Sequence, residues 1–209
     1  MLISEIFYSI QGEGQQTGLP TVFIRTTGCN LRCAYCDTDY AYEGGEQMTI
    51  ELILSKISKF DCKQICITGG EPLLQSETIQ LITALQQKKY EICLETNGSQ
   101  PLQNLTNRNY LSISMDIKTP SSTVQKHNLF ENIKHLTTND QLKCIIGSKE
   151  DYQYAKRILK RYQPSCSIIF QPVWGFNPEI LTEWILSDHL SIRLGLQMHK
   201  IIWGNKTHK

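Results

Sequence analysis

The sequence predicts an α/β fold built from mostly parallel strands. Short runs of aliphatic and β-branched residues recur along the chain, amphipathic helical patterns separate most of them, and the chemically unusual residues fall where these runs end. Strands that alternate with helices pair in parallel through right-handed crossovers. Several runs are almost continuously apolar, which is typical of strands buried on both faces.

Seven short runs are the predicted strands of this fold. They are Thr21–Arg25, Gln64–Thr68, Glu91–Glu95, Tyr110–Asp116, Leu142–Ile146, Ser167–Gln171 and Ile192–Gln197. Four helices are predicted between them from apolar residues three or four positions apart. Their apolar stripes cover Ile50–Ile57 (with Thr49 as a cap), Ile79–Leu85, Tyr152–Tyr162 and Ile180–Ile185. Residues 101–109 are too few and too polar for a full helix, so the cover is thin there.

Length and composition predict one domain in a reducing compartment. The 209 residues carry a net charge of +1, which gives no broad field for nucleic acid. No apolar stretch approaches the roughly 20 residues of a membrane span, and the first residues do not form a secretion signal. We therefore expect a soluble cytoplasmic protein, with residues 1–209 as a single domain and no nucleic-acid or membrane partner.

Cys29, Cys33 and Cys36 form the most informative pattern, Cys-x3-Cys-x2-Cys. A [4Fe–4S] cluster normally takes four cysteine ligands. Three local thiolates would leave one iron open to a substrate or cofactor, as in open catalytic metal sites. The alternatives are a zinc module without catalysis or three incidental core thiols. Five further cysteines lack framework spacing and are predicted to pack as small hydrophobes: Cys62, Cys66, Cys93, Cys144 and Cys166.

Polar and glycine-rich segments follow the predicted strands, where ligands of parallel α/β folds collect. The segment that carries Cys29, Cys33 and Cys36, here called the cysteine loop, follows the first strand. The other segments are Thr68-Gly69-Gly70-Glu71-Pro72, Glu95-Thr96-Asn97-Gly98, Asp116-Ile117-Lys118 and Gln171-Pro172. Glu95 is expected to be a poorly solvated carboxylate. Lys143 interrupts an apolar strand and faces either solvent or a barrel lumen. His199 closes the last predicted strand as a weak site candidate.

Gln11-Gly12-Glu13-Gly14 and Cys36-Asp37-Thr38 are the most specific strings. Together with the cysteine triplet and the Gly-Gly-Glu-Pro element, they resemble the 7-carboxy-7-deazaguanine synthases, a family of small radical S-adenosylmethionine (SAM) enzymes. The resemblance spans Glu5 to Lys200. It implies a partial (βα)6-type radical SAM barrel with trimmed helices.

The resemblance also implies an activity. It is a carbon–nitrogen lyase reaction that contracts 6-carboxy-5,6,7,8-tetrahydropterin to 7-carboxy-7-deazaguanine with release of ammonia, in queuosine or archaeosine biosynthesis. The implied cofactors are a [4Fe–4S] cluster, SAM and Mg²⁺. The implied partners are an external electron donor of the flavodoxin or ferredoxin class and a second copy of the chain in a homodimer. The alternative radical SAM function is that of a glycyl-radical-activating protein. Gln11–Gly14 and Cys36-Asp37-Thr38 argue against this alternative.

Site residues follow from the resemblance and from the strand-end pattern. The resemblance implies that Cys29, Cys33 and Cys36 bind the cluster and that Thr38 binds Mg²⁺. Substrate contacts are Ile10, Gln11, Gly12, Glu13, Arg25, Thr68 and His199. Cofactor contacts are Tyr35, Cys36, Asp37, Gly70, Glu71, Asn97, Asp116, Ile117, Lys118, Lys143 and Gln171. Glu95 and Arg25 are the candidate catalytic residues.

Two departures from relatives leave contacts open. Some relatives have Ser-Pro-Lys where this chain has Asp116-Ile117-Lys118, so the SAM ribose contact is uncertain. Residues 201–209 extend past the last motif, so a substrate contact by a terminal carboxylate is not assumed. Trp174 either shapes an adenine pocket or faces a partner subunit.

Overall fold

A nine-stranded mixed sheet is the framework of the fold in the computed structural model, which describes residues 1–204 and 206. The strands are β1 (Leu2–Ile10), β2 (Pro20–Thr26), β3 (Glu46–Gln47), β4 (Gln64–Gly69), β5 (Glu91–Thr96), β6 (Leu111–Ile117), β7 (Gln141–Ile146), β8 (Ser167–Pro172) and β9 (Arg193–Leu194).

The sheet order is β3-β1-β2-β4-β5-β6-β7-β8-β9. All pairs from β2 to β9 are parallel, whereas β1 is antiparallel to both β2 and β3. Six parallel strands of full length therefore form the partial barrel, which confirms the predicted fold class. In this register Arg25 lies opposite Thr68, and Asp116 lies opposite Lys143, so each pair shares one face of the sheet.

Five α-helices accompany the sheet in the described residues: α1 (Ile50–Ile57), α2 (Thr78–Gln87), α3 (Lys149–Tyr162), α4 (Pro178–Ser187) and α5 (Met198–Trp203). Thr49 caps α1 by accepting a hydrogen bond from the Leu52 amide, as the sequence predicts. Short 3₁₀ turns lie at Asp39–Ala41, Pro72–Leu74, Pro120–Ser122, Gln125–His127 and Phe130–His135. Residues 101–109 form turns and no helix, which confirms the thin cover predicted there.

The hydrophobic core lies between the sheet and the helices. Ile24, Ile67, Leu94 and Ile113 come from four consecutive strands of the sheet and are fully buried. Cys66, Cys93, Cys144 and Cys166 are buried free thiols, and all but Cys166 lie in strands. Among the described helices, the longest has 14 residues, and none is long and apolar enough to span a membrane.

The two ends of the chain differ from the sequence prediction. Leu2–Ile10 forms β1, which the prediction missed because polar residues such as Ser4 and Glu5 interrupt its apolar pattern. The predicted strand Ile192–Gln197 was wrong in extent, since only Arg193 and Leu194 pair with β8. His199 and Lys200 therefore belong to α5 and do not close a strand. Edge position explains this, because β9 has a neighbour on one side only.

Candidate functional site

The carboxyl ends of the parallel strands open into a cavity of about 650 Å³. Its wall includes residues of the cysteine loop, of the turns after β4, β5 and β6, and of α5. A cavity of this size suits one or two small ligands. The site therefore lies where parallel α/β folds bind their ligands.

The three cysteines of the triplet are free thiols that line one side of the cavity. Cys29 Sγ accepts hydrogen bonds from the Leu31 amide at 3.4 Å and from Asn97 Nδ2 at 3.7 Å. Burial raises the pKa of the Cys33 thiol, and Cys29 and Cys36 are close enough to add to that rise. The cysteine loop is thus pinned to the turn after β5, with its thiols clustered.

Gly70 and Glu71 pack against the backbone of the cysteine loop at Gly28 and Cys29. A Cβ on Gly70 would lie 2.2 Å from the Gly28 carbonyl oxygen and 2.7 Å from Cys29 Cβ, so a side chain does not fit. The Glu71 amide donates a hydrogen bond to the same Gly28 carbonyl at 2.8 Å. Gly70, the first residue after β4, therefore lets two backbone segments meet beside the triplet.

The carboxylate of Glu71 is fully buried and does not line the cavity, so the contact with a cofactor predicted for this residue is not made by its carboxylate in this arrangement. It accepts hydrogen bonds from the Thr96 hydroxyl at 2.9 and 3.0 Å, from the Asn97 amide at 2.6 Å and from the Leu73 amide at 3.0 Å. Burial raises the pKa of Glu71 to about 7, although these donors oppose that rise. Its side chain holds the turn after β5 and does not face a ligand.

Lys143 lies in the centre of a buried charge cluster inside the barrel. Its Nζ is 2.7 Å from Glu13 Oε2, 3.3 Å from Glu95 Oε2 and 3.6 Å from Asp116 Oδ1. The Lys143 side chain is 6% exposed. The structure thus decides the open question of Lys143 in favour of the lumen.

Pairing in the cluster sets the proton affinities of its carboxyl groups. Burial opposes ionisation of Glu13 and Asp116, but the neighbouring lysines outweigh it and lower the pKa of both. Burial raises the pKa of Glu95, and Glu13 and Asp116 add to that rise while Lys143 opposes it. Among these three groups, Glu95 is therefore the one that takes up a proton most readily.

Lys118 and Gln171 also line the cavity. Lys118 Nζ donates a hydrogen bond to Asp116 Oδ2 at 2.7 Å. Gln171 is 1% exposed, and its Oε1 has no hydrogen-bond partner within the described residues. Such a buried acceptor is costly unless a ligand donor reaches it. The side chain of Ile117, in contrast, packs in the hydrophobic core and does not line the cavity, so its cofactor contact stays a prediction.

Arg25 is fixed by groups that the sequence analysis did not identify. Its Nε donates a hydrogen bond to Glu5 Oε1 at 2.7 Å, and the Tyr40 hydroxyl donates to the same oxygen at 2.9 Å. The guanidinium also lies 5.9 Å from the Phe7 ring and 5.8 Å from the Tyr40 ring. The only sequence signal for Glu5 is that the family resemblance begins there.

The start of α5 lines the cavity beside Gly12 and Asp37. The Met198 amide donates to the Gly12 carbonyl at 3.0 Å, and a Cβ on Gly12 would lie 2.2 Å from His199 Nδ1. Trp174 lines the wall near this segment, 48% exposed, with Lys200 Nζ 5.7 Å from its ring. His199 is thus at the cavity, although on a helix.

The structure brings most of the predicted site residues to one cavity. Glu71 and Ile117 are the two predicted residues that do not line it, and the residues that do are Ile10, Gln11, Gly12, Glu13, Arg25, Cys29, Cys33, Tyr35, Cys36, Asp37, Thr38, Thr68, Gly70, Glu95, Asn97, Asp116, Lys118, Lys143, Gln171 and His199.

Comparisons with known proteins identify the family of this chain. The family model described as "Radical SAM superfamily" matches residues 23–164. A protein of Chlorobaculum tepidum named 7-carboxy-7-deazaguanine synthase is 44% identical over 209 residues, covering 97% of this chain and 94% of the relative. A protein of Thermoplasma acidophilum with the same name is 37% identical and covers 98% of both chains. This chain belongs to the 7-carboxy-7-deazaguanine synthase family of radical SAM proteins.

Solved structures support the fold of this radical SAM family member. The crystal structure of QueE from Escherichia coli matches with a TM-score of 0.80 at 23% identity, over 95% of this chain and 94% of that one. The crystal structure of Streptococcus suis SuiB matches with a TM-score of 0.59 at 14% identity, over 83% of this chain and 48% of that one. At these identities the matches concern the fold alone.

Membership of the radical SAM superfamily implies a [4Fe–4S] cluster and SAM. The donor set fits both groups. Three clustered thiols face the cavity, and the buried Gln171 Oε1 offers an acceptor for a ligand N–H or O–H. No three His, Cys, Asp or Glu side chains in residues 1–204 and 206 converge on a single metal ion. A [4Fe–4S] cluster does not need such convergence on one ion, because each cysteine thiolate binds a different iron of the cluster.

Proposed function

We propose that the protein is a 7-carboxy-7-deazaguanine synthase, which converts 6-carboxy-5,6,7,8-tetrahydropterin to 7-carboxy-7-deazaguanine and ammonia. Similarity to proteins of that name over nearly the whole chain supports this activity. The observation that carries the proposal is that the cysteine triplet and Gln11–Glu13 line the same cavity. A cluster-bound cofactor and a small substrate could therefore meet there.

Cys29, Cys33 and Cys36 would hold the cluster, and Gly70, Asn97, Lys118 and Gln171 would contact SAM. When bound, the cluster and SAM would supply the radical chemistry that starts the reaction on the pterin. The side chains around the cavity orient the substrate and exclude water. The Gly70 amide donates a hydrogen bond to the Thr26 carbonyl at 3.3 Å, and its lack of a side chain lets the Gly28–Cys29 backbone approach closely.

Substrate recognition would involve Arg25 and the charge cluster. Glu5 and Tyr40 hold the guanidinium of Arg25, whose remaining N–H groups suit a carboxylate or the edge of a pterin. Glu95 combines a raised pKa with a position on the cavity wall, so it can hold or release a proton at its carboxyl oxygens. Gln11, Glu13 and Thr68 would provide further polar contacts.

Mg²⁺ would bind to the substrate and to the hydroxyl of Thr38. Thr38 lines the cavity, and its oxygen is a ligand type that Mg²⁺ prefers. Mg²⁺ often keeps several waters and few protein ligands, so one hydroxyl with a substrate carboxylate is a sufficient set.

Further parts of the proposal concern partners and setting. An electron donor of the flavodoxin or ferredoxin class would reduce the cluster, and the product would enter 7-deazapurine biosynthesis. The protein would act as a cytoplasmic homodimer, because eight free cysteines suit a reducing compartment and the family resemblance implies a dimer. The continuous sheet supports a single domain.

Anaerobic turnover tests the proposed activity. The reconstituted protein is incubated with SAM, dithionite, Mg²⁺ and the carboxytetrahydropterin, and the products are identified by mass spectrometry. We expect 7-carboxy-7-deazaguanine from the wild type and from Cys62→Ser, a thiol outside the cavity. Cys33→Ser is expected to lose both the product and the absorbance near 400 nm. A wild-type protein with an intact cluster spectrum that forms no deazaguanine would overturn the assignment.

A further inference from the structure

The Asp37 carboxylate joins the C-terminal helix to the cysteine loop. Its Oδ2 lies 2.8 Å from Lys200 Nζ and accepts a hydrogen bond from Gln197 Nε2 at 3.2 Å. The Gln197 amide group also donates to Glu13 Oε1 at 2.9 Å. Gln197 and Lys200, at the start of α5, thus contact both the loop that holds Glu13 and the cysteine loop, which are distant in sequence from α5.

The second oxygen of the same carboxylate faces Thr38. The Thr38 hydroxyl donates a hydrogen bond to Asp37 Oδ1 at 3.0 Å. A hydroxyl has one hydrogen and two acceptor lone pairs. Because the hydrogen is committed to Asp37, the lone pairs of the Thr38 oxygen remain available to a cation.

Lys200 is the strongest restraint on Asp37 outside the cysteine loop. Its side chain is only 11% exposed, whereas that of Asp37 is 43% exposed. A charged hydrogen bond to a partly covered ammonium is stronger than a neutral one. Loss of Lys200 would leave the Asp37 carboxylate free to turn toward solvent, and the Thr38 hydroxyl would lose its fixed acceptor.

We propose that Lys200 and Gln197 are positioning residues for the magnesium-binding hydroxyl of Thr38, acting through the carboxylate of Asp37. The inference rests on the magnesium site in the proposed function. Partners that orient a metal ligand typically change metal affinity by about 10–100-fold when they are lost. The relay extends the metal site from the cysteine loop to the C-terminal helix.

Mn²⁺ binding, followed by EPR, tests the relay without turnover. The reconstituted holoenzyme is titrated with Mn²⁺ in the presence of SAM and the pterin substrate but without a reductant. We expect Lys200→Met to raise the Mn²⁺ dissociation constant about 10–100-fold, and Lys200→Arg to restore part of the affinity. The matched control is Lys156→Met, which removes a lysine–aspartate pair of 2.6 Å at the surface and is expected to bind Mn²⁺ as the wild type does.

Two further variants separate a relay from a general loss of structure. Asp37→Asn keeps the shape of the side chain, and Lys200→Met is expected to have no added effect in its background. Thr38→Val is expected to abolish the binding of Mn²⁺ in the same titration. If Thr38→Val abolishes binding while Lys200→Met binds like the wild type, the relay is wrong and the metal site stands. If the wild type binds no Mn²⁺, or if Thr38→Val binds it normally, both the metal site and the relay are wrong.

Discussion

Replacing Lys143 by methionine would remove the only cation within 4 Å of Glu13 and Glu95 in the described part of the chain. Methionine keeps most of the length and volume of the side chain, so the change mainly removes the charge. Asp116 would keep Lys118 at 2.7 Å, and Glu13 would keep the neutral amide of Gln197 at 2.9 Å. Three carboxyl groups would then share a buried site with one ammonium.

The expected cost follows from this burial. Removing one partner of a buried ion pair typically costs about 3–5 kcal/mol in the free energy of unfolding, because the remaining charge is uncompensated. For a chain of this size, each kcal/mol lowers the melting temperature by about 2–4 °C. We therefore expect Lys143→Met to lower the melting temperature by about 6–20 °C at pH 7.5.

The loss should depend on pH in a defined direction. In the wild type, Lys143 lowers the pKa of Glu13, and Lys118 and Lys143 lower the pKa of Asp116, against the opposing effect of burial. The stabilising contribution of the two carboxylates is therefore present at neutral pH and is lost as the pH falls through their pKa values. Without Lys143 the folded state takes up protons at higher pH, which relieves the repulsion. The difference between variant and wild type should therefore shrink on going from pH 7.5 to pH 5.5.

Thermal unfolding by circular dichroism in anaerobic buffer measures this difference. Lys156→Met is the matched control, because it removes the same side chain from a solvent-screened surface pair with Asp188, and such pairs add little to stability. A melting temperature of Lys143→Met equal to that of Lys156→Met would refute the buried-charge argument. A difference that grows as the pH falls would refute the assigned protonation states.

Three further predictions concern single side chains around the cavity. Burial raises the pKa of Glu71 from 4.5 to about 7, so the stabilising contribution of its protonated form is lost as the pH rises through 7. The melting temperature of Glu71→Gln should therefore decline less than that of the wild type between pH 5 and pH 8. Melting temperatures of the two proteins that fall in parallel over this range would contradict the prediction. Arg25→Lys loses the hydrogen bond to Glu5 and the planar fork, so the substrate KM in steady-state turnover should rise about tenfold to a hundredfold, whereas an unchanged KM would remove Arg25 from the substrate site. Gly12→Ala places a Cβ 2.2 Å from the His199 ring and should lower kcat/KM by up to about a hundredfold with little change in the cluster absorbance, and full activity would show that the start of α5 is free to move.

Much of the fold could be predicted because its signals are local. The strands β4 to β8 were predicted to within one or two residues at each end, since their apolar runs end abruptly at glycines and polar turns. β1 could not be predicted in this way, because its exposed positions carry polar residues and its order comes from pairing with β2. The end of the chain was misread for the same reason, since α5 is held at the cavity by Gly12 and Asp37.

The candidate site divides along the same line. The cysteine triplet, the Gly69-Gly70 pair at the end of β4 and the polar strand ends are short strings, and their spacing predicted an open metal site and a small ligand at one edge of a parallel sheet. Only the tertiary structure decided that the Glu71 carboxylate is buried away from the cavity and that Lys143 pairs with three carboxylates. It also decided that Lys200 pairs with Asp37, 163 positions earlier in the chain. Residue spacing fixes which groups are neighbours along one strand or loop. Distances between separate elements depend on strand register and on the packing of the chain ends, and no local pattern encodes them.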